Sequence, residues 1–557
     1  MDRRTTLAIG LSFLLVVVYQ MYMATFFPPA PPETPVAQEQ QAVTPAAPGD
    51  VPSAASVSPA AAPPIAPPAA VKDAASKTPS VPVVDSEPSP GWAFANGVLS
   101  GQVELKGARL NQLQLLRFKE KLTPDSPPIT LFHRSGPEMF LAESGFLGGA
   151  GAPATPGPDA VWKVDPSSSP TLIRLTWNNG TGLTFEKEFS FAPNSYLVTL
   201  TDRVRNTGAQ PVNLFHYGHF VRVEPKEESS ATATQDFHGP MGYLDNARVQ
   251  HDYASLKEKE ARLDASAGWA GFSDKYYLAA LSPEDQENSK RFYFDFDAPA
   301  HRVGAVSRKL TAAPGGMEEI KTRMFIGPKE VELLEAQGLA LDRSIDYGWF
   351  HFLAAPLVKF LLFFYHFTGN FGVAIVVLTF IIKALFFPLA NKSYHSMAAM
   401  RRLQPKVEEL KKIYGDDKQR MQQEMMRLYQ EHKVNPLGGC LPIMLQIPVF
   451  FALYKVLLLS IEMRHAPLGL WIHDLSEMDP YYVLPLLMGV SMFIQTKLSP
   501  PPPDPVQAKV ILLLPIVFTF MFLNFPSGLI LYWFVNNVLS ITQQWYIMKK
   551  DAEKKTA

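Results

Sequence analysis

The feature that most limits what this chain can fold into is a set of long apolar runs. Leu7 to Phe27 is 21 residues without a charge. As a helix, at ~1.5 Å per residue, it spans ~30 Å, one bilayer core. Five more apolar segments crowd the carboxy-terminal third: Asn370–Leu389, Leu437–Ser460, Tyr481–Thr496, Val510–Asn524 and Gly528–Met548. Charged residues make up 18% of the chain, below the ~25% usual for soluble domains. A chain of this kind needs lipid as part of its solvent.

The first run has two readings. A cleaved signal peptide is one, but the run exceeds the usual apolar core and no A-x-A site follows. Arg3-Arg4 lacks the rest of a twin-arginine pattern. An uncleaved anchor, 1–27, with its amino end in the cytoplasm fits better. Residues 28–90 then hold 17 of the chain's 50 prolines. Such a segment buries no core and is expected to be an extended tether.

From 91 to 341 the texture is β. Phe185, Phe189 and Phe191 alternate, as do Tyr196, Val198 and Leu200, and Phe292, Phe294 and Phe296. Asn96-Gly97 and Asn179-Gly180 mark hairpin turns. This predicts a large antiparallel β-sandwich, with a short helix over Lys329–Gly338. Residues 342–369 mix Trp349, Phe350, Phe352, Leu353, Leu357, Phe360 and Phe364 with His351, Lys359 and His366. That pattern reads as an amphipathic helix in the interface. The alternative is the start of a longer membrane helix, which Pro356 and Gly369 disfavour.

Charge sets the topology. Residues 391–436 carry ten Lys/Arg against six Asp/Glu, and residues 461–480 one Arg against four acids. The tail, 549–557, adds Lys549, Lys550, Lys554 and Lys555. The positive-inside rule then puts 391–436 and the tail in the cytoplasm and the β domain outside. The expected architecture is a five-helix core at 370–548 plus the anchor: six spans, both termini cytoplasmic.

Composition removes several function classes. One cysteine excludes an intrachain disulfide framework and a cysteine zinc cluster. A net charge of −1 argues against nucleic-acid binding. No P-loop, dinucleotide fingerprint or nucleophile elbow is present, so neither cofactor nor metal is expected. Leu437-Gly438-Gly439-Cys440 imitates a lipobox but is internal, which leaves Cys440 as a buried thiol. His216, His219 and Glu224 lie close enough in sequence for a sugar or metal site, although such groups are usually ordinary strand residues.

Lys383 is the most informative residue. It lies about five residues, ~8 Å, inside the cytoplasmic end of its segment, where a lysine costs up to ~3 kcal/mol on insertion scales. It either snorkels to headgroups or lines a water-filled cavity. Gln446, Asn536, Asn537, Ser540, Thr542, Gln543 and Gln544 on other segments must face protein or water. Interhelical hydrogen bonding is their plain role. No acid in these spans can pair with Lys383, which favours the wet cavity. The Tyr481 and Val510 segments are short, so they either thin the bilayer locally or are re-entrant. Residues 391–436 read as a helical hairpin, with Met397, Met400, Leu403, Val407 and Leu410 on one arm and Met421, Met425 and Leu428 on the other. Packed on itself in the main, such a basic hairpin also suits apolar nascent segments or anionic lipid.

Local motifs then carry a resemblance. They are Ser396-Met397-Ala398-Ala399-Met400-Arg401-Arg402-Leu403-Gln404-Pro405-Lys406, Gly415-Asp416-Asp417-Lys418-Gln419-Arg420 and Val434-Asn435-Pro436-Leu437-Gly438-Gly439-Cys440. To these are added Gln446-Ile447-Pro448, Leu470-Trp471-Ile472-His473-Asp474-Leu475, Asp479-Pro480-Tyr481-Tyr482 and Phe525-Pro526-Ser527-Gly528-Leu529. Over about 200 carboxy-terminal residues the chain resembles the YidC/Oxa/Alb family of membrane protein insertases. The anchor and large outer domain resemble its Gram-negative form. The resemblance implies a non-enzymatic insertase and chaperone of the inner membrane, and a supersandwich-like periplasmic domain. It implies a groove open to cytoplasm and lipid, in which one cation attracts acidic client tails. Many members have arginine where this chain has Lys383. The resemblance adds Thr379, Gln446, Tyr532 and Trp533 to the groove, alongside Asn537. It implies nascent membrane proteins as clients, and the Sec translocon, the ribosome and the signal recognition particle pathway as partners. Two other classes fit the residues less well: a secondary transporter, for which no internal repeat is visible, and a membrane-anchored sugar-binding or sugar-processing domain.

Overall fold

A computed structural model describes residues 90–556, apart from 135, 150–151, 226–236, 285–289, 308, 415–416, 433, 435–440 and 500–504. These residues belong to one compact unit, Lys77–Ala557. The expected anchor, the tether up to residue 89, and Cys440 lie outside the described residues.

The β domain follows from period-two patterning. In Leu183–Phe191 every second residue is buried: Leu183, Phe185, Lys187, Phe189 and Phe191. Asn179-Gly180 turns the preceding strand, Leu172–Asn178, into it. Gly180 adopts φ +74° there, and Asn179 Oδ1 accepts from the Thr181 and Leu183 amides. Two antiparallel sheets result. The ten-stranded sheet runs from Gly91–Ala95 through Phe140–Gly148, Val212–Val223 and Ala300–Val306 to Ala261–Ala265. The nine-stranded sheet runs from Ala247–Gln250 through Met317–Pro328, Leu197–Asn206 and Leu183–Phe191 to Lys163–Val164. The sheets pack face to face through aromatic pairs: Phe94 stacks on Phe191 at 4.1 Å, and Phe140 meets Phe272 edge-on at 5.5 Å.

Charged groups also join the sheets. Lys187 Nζ lies 2.9 Å from Asp202 Oδ1 and donates to the Ser144 carbonyl at 2.8 Å. Ser144 Oγ donates to Asp202 Oδ2 at 2.6 Å, which is also 2.9 Å from His216 Nε2. Burial alone would raise the Asp202 carboxyl, but the Lys187 charge and the His216 and Ser144 hydrogen bonds hold it below the usual carboxylate range. His219, three residues from His216 and so on the opposite face, meets Tyr293 Oη at 2.6 Å and Glu143 Oε2 at 3.4 Å. Glu224 pairs with Lys257. The local trio His216, His219 and Glu224 is therefore dispersed. No cluster of three metal-ligating side chains occurs among the described residues.

Nine α-helices are described: α1 (Tyr253–Glu258), α2 (Val331–Ala336), α3 (His351–Thr368), α4 (Phe371–Tyr414), α5 (Lys418–Glu431), α6 (Leu441–Leu459), α7 (Val483–Leu498), α8 (Pro505–Met521) and α9 (Ser527–Thr556). Gly369 ends α3 in the left-handed region, φ +68°, its amide donating to the Tyr365 carbonyl. The break anticipated there is present. In contrast, the segment expected to end at Leu389 does not stop. α4 continues through Pro388 and Pro405 as one 44-residue helix, so the first hairpin arm is its extension. Gly348–Thr368, Phe371–Tyr414 and Val506–Asn524 are long and apolar enough to cross a membrane, while Gln446–Leu459 and Val483–Leu498 are shorter apolar helices.

α3 buries Ala354, Leu357, Val358, Leu361 and Leu362 and leaves Phe352, Phe360, Phe363 and Phe367 exposed. Two of its polar side chains face the β domain. Lys359 pairs with Glu335 at 3.1 Å and His366 approaches Glu332 at 3.8 Å, both acids on α2. The Val331 amide, which opens α2, donates to Glu462 Oε1 at 3.2 Å, just past α6. Arg464 donates to the Glu120 carbonyl at 2.9 Å. The β domain is thus tied to the helical core by polar contacts at α2.

Candidate functional site

The last helix organises the site. On α9, Tyr532, Asn536, Ser540 and Gln544 recur every four residues, a stripe ~18 Å long. The stripe packs on α4 and α7. Lys383 Nζ donates to Ser540 Oγ at 2.7 Å, and Gln543 Nε2 to the Phe387 carbonyl at 3.4 Å. Advancing four residues on α4 and three on α9 gives the next contact, so these two helices run parallel. Ser540 Oγ donates its own proton to the Asn536 carbonyl at 2.8 Å. Among the described residues no carboxylate pairs with Lys383.

Four residues before Lys383, and so on the same face of α4, Thr379 is buried and donates to the Ile375 carbonyl at 2.7 Å. Asn537 Nδ2 donates to Ser491 Oγ on α7 at 3.0 Å. Nearer the start of α9, Gln446 Nε2 of α6 donates to Tyr532 Oη at 2.5 Å. Asn536 Oδ1 and Gln544 Oε1 are buried without a hydrogen-bond partner. The seam therefore has three levels: Gln446–Tyr532, then Thr379 and Asn537–Ser491, then Lys383–Ser540. It gathers neutral polar groups around one cation.

Trp533 belongs to another environment. Adjacent helical residues point ~100° apart, and its ring packs on Phe450 at 4.7 Å and Phe522 at 4.6 Å. That aromatic cluster sits beside the seam, one residue along from Tyr532. The loop motifs hold helix starts. Asp479 accepts from Trp471 Nε1 at 3.0 Å and from the Leu484 amide at 2.7 Å, fixing the entry to α7. Ser527 Oγ donates to the Asp474 carbonyl at 2.9 Å. A Cβ on Gly528 would stand 3.2 Å from the Leu475 carbonyl oxygen, so the close approach of loop and α9 favours glycine there.

In the hairpin, Ser393, Tyr394, Ala398, Leu403 and Val407 are the buried residues of the first arm. Met397, Met400, Met421 and Met425 are all half-buried, and Met426 is the most open methionine of the second arm, at 45%. Sequence reasoning counted Ser540 only as one polar residue among several. The i, i+4, i+8 spacing of Tyr532, Asn536 and Ser540 was the available signal.

A polytopic membrane protein with a polar seam among apolar helices and a large β domain is the class that the fold defines. The comparisons narrow it. Residues 92–360 match the family model described as the YidC periplasmic domain, and residues 363–555 match that of the 60Kd inner membrane protein. A membrane protein insertase YidC from Magnetococcus marinus is 50% identical over 99% of both chains. One from Brucella suis is 41% identical over 82% of this chain and 80% of its own. Among solved structures, the crystal structure of an active YidC insertase with its first transmembrane domain resolved aligns with TM-score 0.38 and 21% identity, over 84% of this chain and 95% of that one. The chain belongs to the YidC family of membrane protein insertases.

Proposed function

We propose that this protein inserts newly made membrane proteins into the inner membrane, moving short hydrophilic tails across it and releasing hydrophobic segments into lipid. The single observation that carries the reading is the environment of Lys383: a cation inside an apolar bundle, hydrogen-bonded to a neutral hydroxyl and unneutralised among the described residues. The unpartnered Asn536 and Gln544 amide oxygens support a hydrated groove around it. Six spans with both termini cytoplasmic put the β domain in the periplasm and the Met-bearing hairpin on the cytoplasmic side. The hairpin, through Met397, Met400, Met421 and Met425, receives clients arriving from the ribosome, the signal recognition particle pathway or the Sec translocon, and touches anionic lipid. α3 lies in the outer interface with its phenylalanines in lipid.

The mechanism has two stages. A tail enters the seam, where Lys383, Thr379, Gln446, Tyr532 and Asn537 replace part of its hydration, with Trp533 at the edge. Burial of the following apolar segment in lipid then draws the client sideways out of the groove. The membrane potential assists acidic tails by ~2.3 kcal/mol per charge per 100 mV. No nucleotide enters the scheme.

Reconstituted protein and one small acidic-tailed client, without an energy source, test it. Lys383→Arg retains insertion and Lys383→Glu impairs it. If Lys383→Ala inserts every client, acidic or neutral, at the wild-type rate and matched protein level, the charge role is wrong.

A further inference from the structure

Lys383 alone does not fix where its charge sits. Its side chain has four rotatable bonds, so the ammonium can swing over several ångströms. What defines the position is on another helix. Ser540 has one hydroxyl proton and two lone pairs. The proton goes to the Asn536 carbonyl at 2.8 Å, which fixes the hydroxyl as an acceptor. One lone pair takes a proton from Lys383 Nζ at 2.7 Å. Ser540 is itself buried, so it does not move readily. The ammonium has three N–H groups, and Ser540 engages one. Among the described residues nothing is seen to accept from the other two, which leaves them for an incoming carboxylate.

From this geometry we propose that Ser540 is the positioning residue of the groove: it holds the Lys383 ammonium on the seam, with two donors free, and so sets the preference for acidic client tails. The proposal rests on the charge role given to Lys383 above. Ser540 touches Lys383 and need not touch the client. Because its oxygen is neutral, it localises the charge without cancelling it. An aspartate in its place would do the first and undo the second.

Insertion is measured with the full chain reconstituted in liposomes, using two clients that differ only in an acidic or an uncharged tail. Ser540→Ala lowers the rate for the acidic tail by about tenfold, the effect expected of one hydrogen bond to a charged group, and leaves the uncharged tail within about twofold. Ser540→Thr, which keeps the hydroxyl, restores the acidic-tail rate. A purely packing role for Ser540 would lower both clients together, and that result overturns the proposal. Lys383→Ala runs alongside. If Lys383→Ala loses the acidic tail selectively while Ser540→Ala does not, positioning by Ser540 fails and the charge role stands. If Lys383→Ala handles both tails as wild type does, the charge role itself fails and takes the proposal with it.

Discussion

Replacing Lys187 by methionine tests the electrostatic joint of the β domain. Methionine is close in volume, so little cavity opens. What is lost is charge and hydrogen bonding. Lys187 is fully buried, and its ammonium serves Asp202 at 2.9 Å and the Ser144 carbonyl at 2.8 Å. Without it Asp202 keeps Ser144 Oγ and His216 as partners, but its negative charge is left uncompensated between the sheets. Removing one partner of a buried pair costs about 3–5 kcal/mol. For a domain of this size each kcal/mol moves the melting midpoint by roughly 2–4 °C, so the β domain should melt about 6–20 °C lower. The deficit depends on pH with a defined sign. The wild-type Asp202 carboxyl is depressed by its partners, so its stabilisation is present above the unfolded aspartate range and is lost as pH falls toward the folded value. In Lys187→Met, proton uptake by Asp202 relieves the stranded charge, so the gap from wild type narrows on acidification and widens toward pH 8. The double variant with Asp202→Asn removes both charges and recovers most of the loss. Thermal unfolding of the purified chain, followed by tryptophan fluorescence between pH 5 and 8, reads all of this. A single variant melting within about 2 °C of wild type, or a double variant no better than the single, refutes the reasoning.

Three further outcomes are expected. Burial pushes the Glu462 carboxyl up to about 7, with Glu330 and Glu332 adding to it; the folded chain therefore binds an extra proton, and its contribution to stability falls by on the order of 2 kcal/mol as pH rises from 4.5 to 7. Glu462→Gln should flatten that slope in a pH series of melting curves. Tyr532→Phe leaves the Gln446 amide without its acceptor and should cost about 1–2 kcal/mol of helical-core stability in denaturant titration, with Gln446→Leu in the Tyr532→Phe background restoring part of it. Deleting residues 91–328 should spare insertion, measured by complementation of a depletion strain, whereas a deletion that also removes α2 should harm it, because Lys359, His366 and Glu462 then lose Glu335, Glu332 and the Val331 amide.

Much of this architecture is legible from side-chain period alone. Phe185, Phe189 and Phe191 announce a half-buried strand because a pleat has only two faces, and the strand is there. Lys383 stands out for a different reason: a charge in an apolar run is costly wherever it points. Pairings across the bundle are not written locally. Only its four-residue spacing from Asn536 and Tyr532 sets Ser540 apart from Thr542, and the partner it meets is not written there: helix rotation aims one hydroxyl at Lys383 and leaves the other exposed, donating to the Val538 carbonyl. The continuity of α4 through Pro388 escapes the reading as well, since proline forfeits only its own amide bond and neighbouring helices can offset that. The tie between α2 and α3 is hidden too. Glu332 and Glu335 look like a solvated face until the fold brings Lys359 and His366 alongside.

The choice of lysine and serine at the heart of the seam makes physical sense for a device that must let go. A carboxylate partner would hold Lys383 firmly, but the resulting pair is neutral to an approaching tail, and an acidic client would have to displace a charge of its own sign. A hydroxyl costs the incoming carboxylate far less to compete with, because hydrogen bonds to neutral acceptors are weaker than charge-assisted ones. An arginine would offer a planar fork and two parallel bonds to each carboxylate. An ammonium is a point donor without that geometry, so a bound tail should leave it more readily. Release matters as much as capture here, because the net drive is burial of the following apolar segment, ~0.8 kcal/mol per methylene. A groove that bound the tail by several kcal/mol more than water does would cancel that drive residue for residue. Under the proposed mechanism, a weak, localised charge at Lys383, unneutralised among the described residues, is therefore what a transfer path requires, and it predicts that strengthening the site, with Lys383→Arg, retains capture but lengthens the dwell of acidic tails in a time-resolved crosslinking assay.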